Sequence, residues 1–97
     1  MREKPIVIKV PCLPFGRGVT LYPFIIVEGK YNAIAQSTFK HECMHWYQMR
    51  RMGVLKFYWE ILKEYLEEGI YKGPLEQEAY LYKYSGELTD KELEWWR

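Results

Sequence analysis

Ser37-Thr38-Phe39-Lys40-His41-Glu42-Cys43-Met44-His45-Trp46-Tyr47-Gln48-Met49-Arg50-Arg51-Met52-Gly53 is the stretch that organises this chain, and it reads as one helix. Ser37 or Thr38 offers an N-cap and Gly53 a left-handed C-terminal stop. His41, His45, Gln48 and Met52 share one face, while Phe39, Cys43 and Trp46 form another, directed at a core. Both histidines of the chain lie here, in His41-Glu42-Cys43-Met44-His45. Four residues advance a helix by about one turn, so the two imidazoles stack about 6 Å apart and can bind a single ion. Glu42 points off that line but stays beside the ion, where it can take a proton from water. Two imidazoles with an adjacent base imply a mononuclear zinc hydrolase site.

Outward from this helix, Ile6 to Val10 is β-branched and bounded by prolines, which suits a short strand. Val19 to Glu28 gives a longer extended run broken at Pro23. Gly29-Lys30 signals a turn, after which Tyr31 to Gln36 can return as a third, antiparallel strand. Beyond Gly53, a second helix spans roughly Leu55 to Glu68. Its Leu55, Tyr58, Trp59, Leu62, Tyr65 and Leu66 follow helical spacing and read as core, with Lys56, Glu60, Lys63, Glu64 and Glu67 on the solvated face. Pro74 opens a third helix that runs to about Tyr84 and ends at Ser85-Gly86. Thr89-Asp90-Lys91-Glu92 is a capping-box pattern, with Leu88 and Leu93 placed as a hydrophobic staple. The expected fold is α+β: a small antiparallel N-terminal sheet packed on a three-helix core with a C-terminal tail, in one domain over residues 1–97.

Composition narrows the function classes. Of 97 residues, 48% are hydrophobic, 18% aromatic and 28% charged, the balance of a globular domain and not a disordered one. Lys and Arg number 14 against 13 acids, a net charge of +1. That gives no electrostatic case for nucleic acid, which needs a concentrated basic surface. Cys12 and Cys43 lack the short paired spacing of a zinc knuckle or redox couple and read as buried thiols. No apolar run approaches membrane-spanning length, and the N-terminus does not resemble a signal peptide. A soluble, cytoplasmic protein is expected.

A hydrolytic zinc usually takes three protein ligands and leaves one position open. With no third histidine, the remaining ligand falls to a carboxylate, and Glu64, Glu67 and Glu68 compete with Glu76 and Glu78. In Pro74-Leu75-Glu76-Gln77-Glu78-Ala79-Tyr80, Glu76 shares a face with Ala79 and Tyr80, and a small Ala79 lets this helix approach the metal helix closely. Glu78 lies about 200° around the helix from Glu76, so both cannot reach one ion. Glu76 is the first choice and Glu78 the alternative.

H-E-x-x-H followed by a Glu on a later helix, in the pattern E-x-x-[AS], resembles the gluzincin metallopeptidases, and at this length the minigluzincins. The resemblance runs from about Val19 to Tyr84. It implies a zinc metalloendopeptidase with His41, His45 and Glu76 as ligands, Glu42 as general base, and Tyr31 to Gln36 as the edge strand that holds an extended peptide or protein substrate. It departs from the family pattern where Tyr80 replaces the Asp that often orients the first histidine. The resemblance also implies a zymogen, either a monomer or a tail-exchanged dimer, in which residues 87–97 form a latency tail over the cleft, with Glu92 or Glu94 able to reach the ion. Two other expectations stand beside this one. In the first, zinc only staples the helices of a non-catalytic protein-interaction domain; in the second, an aromatic-rich module binds a partner without metal.

Overall fold

A computed structural model describes residues 2–13, 17–29, 32–69 and 72–97. The chain is α+β, with three strands and four helices among the described residues: β1 (Ile6–Val10), β2 (Gly18–Leu21), β3 (Phe24–Glu28), α1 (Asn32–Met52), α2 (Val54–Glu68), α3 (Pro74–Lys83) and α4 (Asp90–Trp96). The extended run Val19 to Glu28 folds on itself at Tyr22-Pro23, joined by a cis peptide, so that β2 pairs antiparallel with β3. On the other side of β3, β1 pairs in parallel, from Ile6 opposite Phe24 to Val10 opposite Glu28. The sheet is therefore mixed and not antiparallel throughout, in the order β1-β3-β2, with β2 at an edge.

Residues 32 to 36 are not a strand but the first turns of α1. Tyr31 lies outside the described residues. Alanine and glutamine are strong helix formers, and lengthening a helix that already exists costs far less than starting one. Burial adds to this: Ala35 is buried one turn before Phe39, and both pack on Ile25 and Val27 of β3 with Cys43, Trp46 and Trp96. Ser37 and Thr38 consequently sit inside the helix. Its C-terminal end is where the sequence puts it, with Gly53 at φ +93 and its N–H donating to Met49 O.

A smaller cluster of Met49, Phe57 and Leu75 joins α1, α2 and α3. It decides which face of α2 turns inward, and that face shares only Tyr58 and Tyr65 with the expected stripe. Phe57 is buried, with Tyr58 and Ile61 packed beside it, whereas Leu55, Trp59, Leu62 and Leu66 are exposed. On α3, fully buried Ala79 provides the close approach to α1 that a larger side chain would prevent.

The tail forms α4, opened by the expected capping box: Thr89 Oγ1 accepts from Glu92 N, and Glu92 accepts from Thr89 N. Trp96 stacks at a tilt on Phe39 with ring centroids 5.2 Å apart, and Trp95 packs on Tyr47. Among the described residues, no helix is long and apolar enough to cross a membrane.

Candidate metal centre

The two histidines of α1 point into a cavity of about 480 Å³ bounded by β2, α1, α2 and α3. Their ring centroids lie 5.0 Å apart, as one helical turn requires. His41, Glu42 and His45 place ligand atoms within 4.8 Å of one another, a buried group that can hold a metal ion. From α3, Glu76 Oε1 comes to 2.5 Å from His45 Nε2 and 3.6 Å from His41 Nε2. Glu42 Oε2 stands 4.0 Å from His41 Nε2, to one side.

The hydrogen bonds around His45 identify which of its nitrogens faces this point. Gln48, fully buried one turn along α1, donates from Nε2 to Leu75 O at 2.9 Å and to Glu78 Oε1 at 2.7 Å. That leaves Gln48 Oε1 to accept, and it takes His45 Nδ1–H at 2.9 Å. His45 Nε2 therefore carries the lone pair when the ring is neutral. Two acceptors, Nε2 and Glu76 Oε1, then face each other, and no hydroxyl or amide among the described residues donates to Oε1. Such a contact is stable only with a positive charge between the atoms, a proton or a metal ion. The titration behaviour follows from the same demand. Burial opposes the charged imidazolium, yet the Glu76 carboxylate outweighs it and raises His45 above its ordinary value. Burial likewise opposes ionised Glu76, but the two imidazoles hold its carboxyl down to about 2. Two nitrogens and one carboxylate oxygen are a donor set suited to zinc.

Glu42 is held differently. Thr20 Oγ1, on the edge strand, donates to Glu42 Oε1 at 3.2 Å and lies 3.3 Å from Glu42 O. Burial raises the Glu42 carboxyl above its usual range while the histidines pull it back. The strand reaches this close because residue 18 is glycine: a Cβ there would sit 2.7 Å from Thr38 Cγ2. Tyr58 braces the strand from α2, donating to Thr20 O at 3.0 Å and accepting from Tyr22 N at 2.9 Å. Tyr65 OH lies 3.4 Å from Glu76 Oε2.

The structure brings His41, Glu42, His45 and Glu76 together and takes Glu78 elsewhere, to Gln48 and to Arg51 at 3.0 Å. Tyr80, four residues after Glu76, packs edge-on against the His41 ring at 4.6 Å. His41 Nδ1 has no hydrogen-bond partner among the described residues. Cys43 is buried on the other side of α1, whereas Cys12, expected to be buried, is exposed. The strand beside the site is β2; of the expected strand Tyr31 to Gln36, residues 32–36 have joined α1.

The tail departs furthest from expectation. None of residues 87–97 lines the cavity. Glu92 is buried instead against Tyr47 and Tyr82, whose hydroxyls donate to Oε2 at 2.7 and 2.5 Å, with Lys40 Nζ 3.5 Å from Oε1. It does not reach the histidines, because Lys40 faces away from them toward α4. Thr20 and Tyr58 were not recognised in the sequence, and no local pattern marks them, since both act across long separations. Compared with family models, with curated proteins and with solved structures, the chain gives no match in any of the three.

Proposed function

We propose that the chain is a zinc metallopeptidase of the gluzincin kind, close in plan to the minigluzincins. The observation that carries this is the convergence of Glu76 on His41 and His45, across two helices, at a point that requires a cation. His41 and His45 would hold zinc through Nε2, with Glu76 as third ligand. Bound there, zinc supplies Lewis acidity, lowering the pKa of water and polarising a carbonyl.

The rest is done by the chain's own groups. Glu42, buried beside the histidines and held by Thr20, accepts a proton at the cavity and returns it to the leaving amine. Thr20 holds one oxygen of Glu42 and leaves the other, Oε2, on the His41 side. Edge strand β2 lines the cavity. An extended peptide added there would be gripped by main-chain hydrogen bonds, with side-chain selection left to Phe57, Ile61 and the Arg17 and Lys83 cations at the lining. A zinc staple in a non-catalytic domain would leave both Glu42 and the open cavity without a role.

The test is hydrolysis of casein by zinc-loaded protein and by zinc-loaded Glu42→Gln. Wild type cleaves, and the variant keeps its zinc while its rate falls by roughly 10²-fold or more. Equal rates, or no cleavage by the wild type, would refute the proposal.

A further inference from the structure

The outer face of α2 carries an apolar row that the described residues leave exposed. Leu55, Trp59, Leu62 and Leu66 are 87%, 60%, 48% and 79% exposed. At about 100° per residue they lie within roughly 60° of one another around the helix. A continuous row of this kind on a folded domain marks an interaction surface. Its partner can be read from its symmetry. Taken from either end the row has leucine at its limits, Leu55 and Leu66, and large groups, Trp59 and Leu62, in its middle. Its midpoint falls between Glu60 and Ile61.

The charges beside it have the same property. Lys56, Glu60, Lys63 and Glu67 all flank the row on one side, and Lys63 Nζ lies 3.6 Å from Glu60 Oε1 within the chain. Reversed end for end, each cation falls on an anion: Lys56 on Glu67, and Lys63 on Glu60. This second midpoint, between Ile61 and Leu62, is one residue from the first, about 1.5 Å along the axis. A lysine side chain spans that offset easily. A two-fold axis perpendicular to a helix reverses its direction and brings each flank against the same flank of its copy. Row and charges are both self-complementary under that one operation.

We infer that α2 pairs antiparallel with α2 of a second copy of this chain. Leu55 packs near the partner's Leu66 and Trp59 near the partner's Leu62, while Lys56 and Lys63 pair with the partner's Glu67 and Glu60. Tyr58, Ile61 and Tyr65, which face the metal cavity, lie on the other side of the row from the charges. Pairing and metal binding are therefore separable. A single pair of helices this short is a small interface, so association is reversible.

Sedimentation velocity of the full chain over a concentration series tests this. The expected result is a monomer–dimer equilibrium that Trp59→Lys abolishes with zinc content and circular dichroism unchanged. Lys56→Glu and Glu67→Lys each weaken the dimer about tenfold, since each acts twice by symmetry, and the double substitution restores it. A monomer at every concentration, a dimer indifferent to Trp59→Lys, or a double variant no better than the singles would overturn the inference. So would a monomer in which Trp59→Lys abolishes binding to casein or to phosphatidylcholine vesicles, which would assign the row to that occupant.

Discussion

Replacing Glu92 with alanine should unfold much of what holds the tail, and the size of the loss follows from its surroundings. The Glu92 side chain is fully buried, and its oxygens accept from Tyr47, Tyr82 and Thr89 N with Lys40 Nζ at 3.5 Å. Removing it leaves Lys40, only 3% exposed, with Glu87 O and the face of Tyr82 as its remaining contacts. Stripping one partner from a buried ion pair costs about 3–5 kcal/mol. The lost half of the capping box, Thr89 N to Glu92 Oε1, adds about 1 kcal/mol, while Thr89 Oγ1 keeps its bond from the backbone N of residue 92. The net loss should be at least about 3 kcal/mol, a large share of the roughly 5–15 kcal/mol available to such a domain. Urea unfolding followed by circular dichroism measures it, with the slope m unchanged if only stability has moved. Lys40→Met with Glu92→Leu should be milder than Glu92→Ala alone, because no charge is then left unpaired. A loss below about 1 kcal/mol for Glu92→Ala would show that the Glu92–Lys40 pair does not hold the tail.

Truncation after Gly86 removes Glu92 and Trp96 together, and should give an unstable or aggregated product with no gain in peptidase activity, checked by circular dichroism and casein hydrolysis. Glu76→Ala should lose zinc while Glu78→Ala keeps it, as elemental analysis will show; Glu78 instead stabilises Arg51 and Gln48. Gln48→Leu should weaken zinc binding by roughly 10–100-fold, since it releases the His45 ring from its fixed tautomer and orientation; competition against a chelator measures that. Glu92 is held below its ordinary pKa of 4.5, burial being outweighed by the Tyr82 and Tyr47 hydrogen bonds. A lowered folded pKa contributes stability that is present above the unfolded value and lost as pH falls through the folded one. The stability gap between wild type and Glu92→Gln should therefore narrow on acidification below about pH 4.5, as read by urea unfolding at each pH.

The parts of this structure that were legible in the sequence are those carried by local chemistry. Gly53, Pro74 and the Thr89–Glu92 box act through their own backbone, and the His41–His45 spacing fixes its geometry within one helical turn. Glu76 could be singled out because its helical neighbours Ala79 and Tyr80 place it on a face that can approach α1. What failed depends on contacts distant in sequence. Residues 32–36 are helical partly because Ala35 buries against β3, and nothing local shows that contact. The parallel pairing of β1 with β3 likewise leaves no mark in either strand. Periodicity on α2 found a real apolar row but could not say that Phe57 and Ile61, on another arc, face the core. Glu92 reads as a capping-box residue able to reach the ion, and nothing local shows that it pairs with Lys40 across the fold.

Zinc held by two imidazoles and a carboxylate leaves a definite signature in the K-edge absorption spectrum of protein loaded with one equivalent. The spectrum should show only nitrogen and oxygen donors, at about 2.0–2.2 Å, with the multiple scattering of two imidazoles. Cys43 Sγ is buried away from the cavity and Cys12 does not line it, so no sulfur should appear at about 2.3 Å. A sulfur shell, or a protein that retains no zinc, would rule out this ligand set.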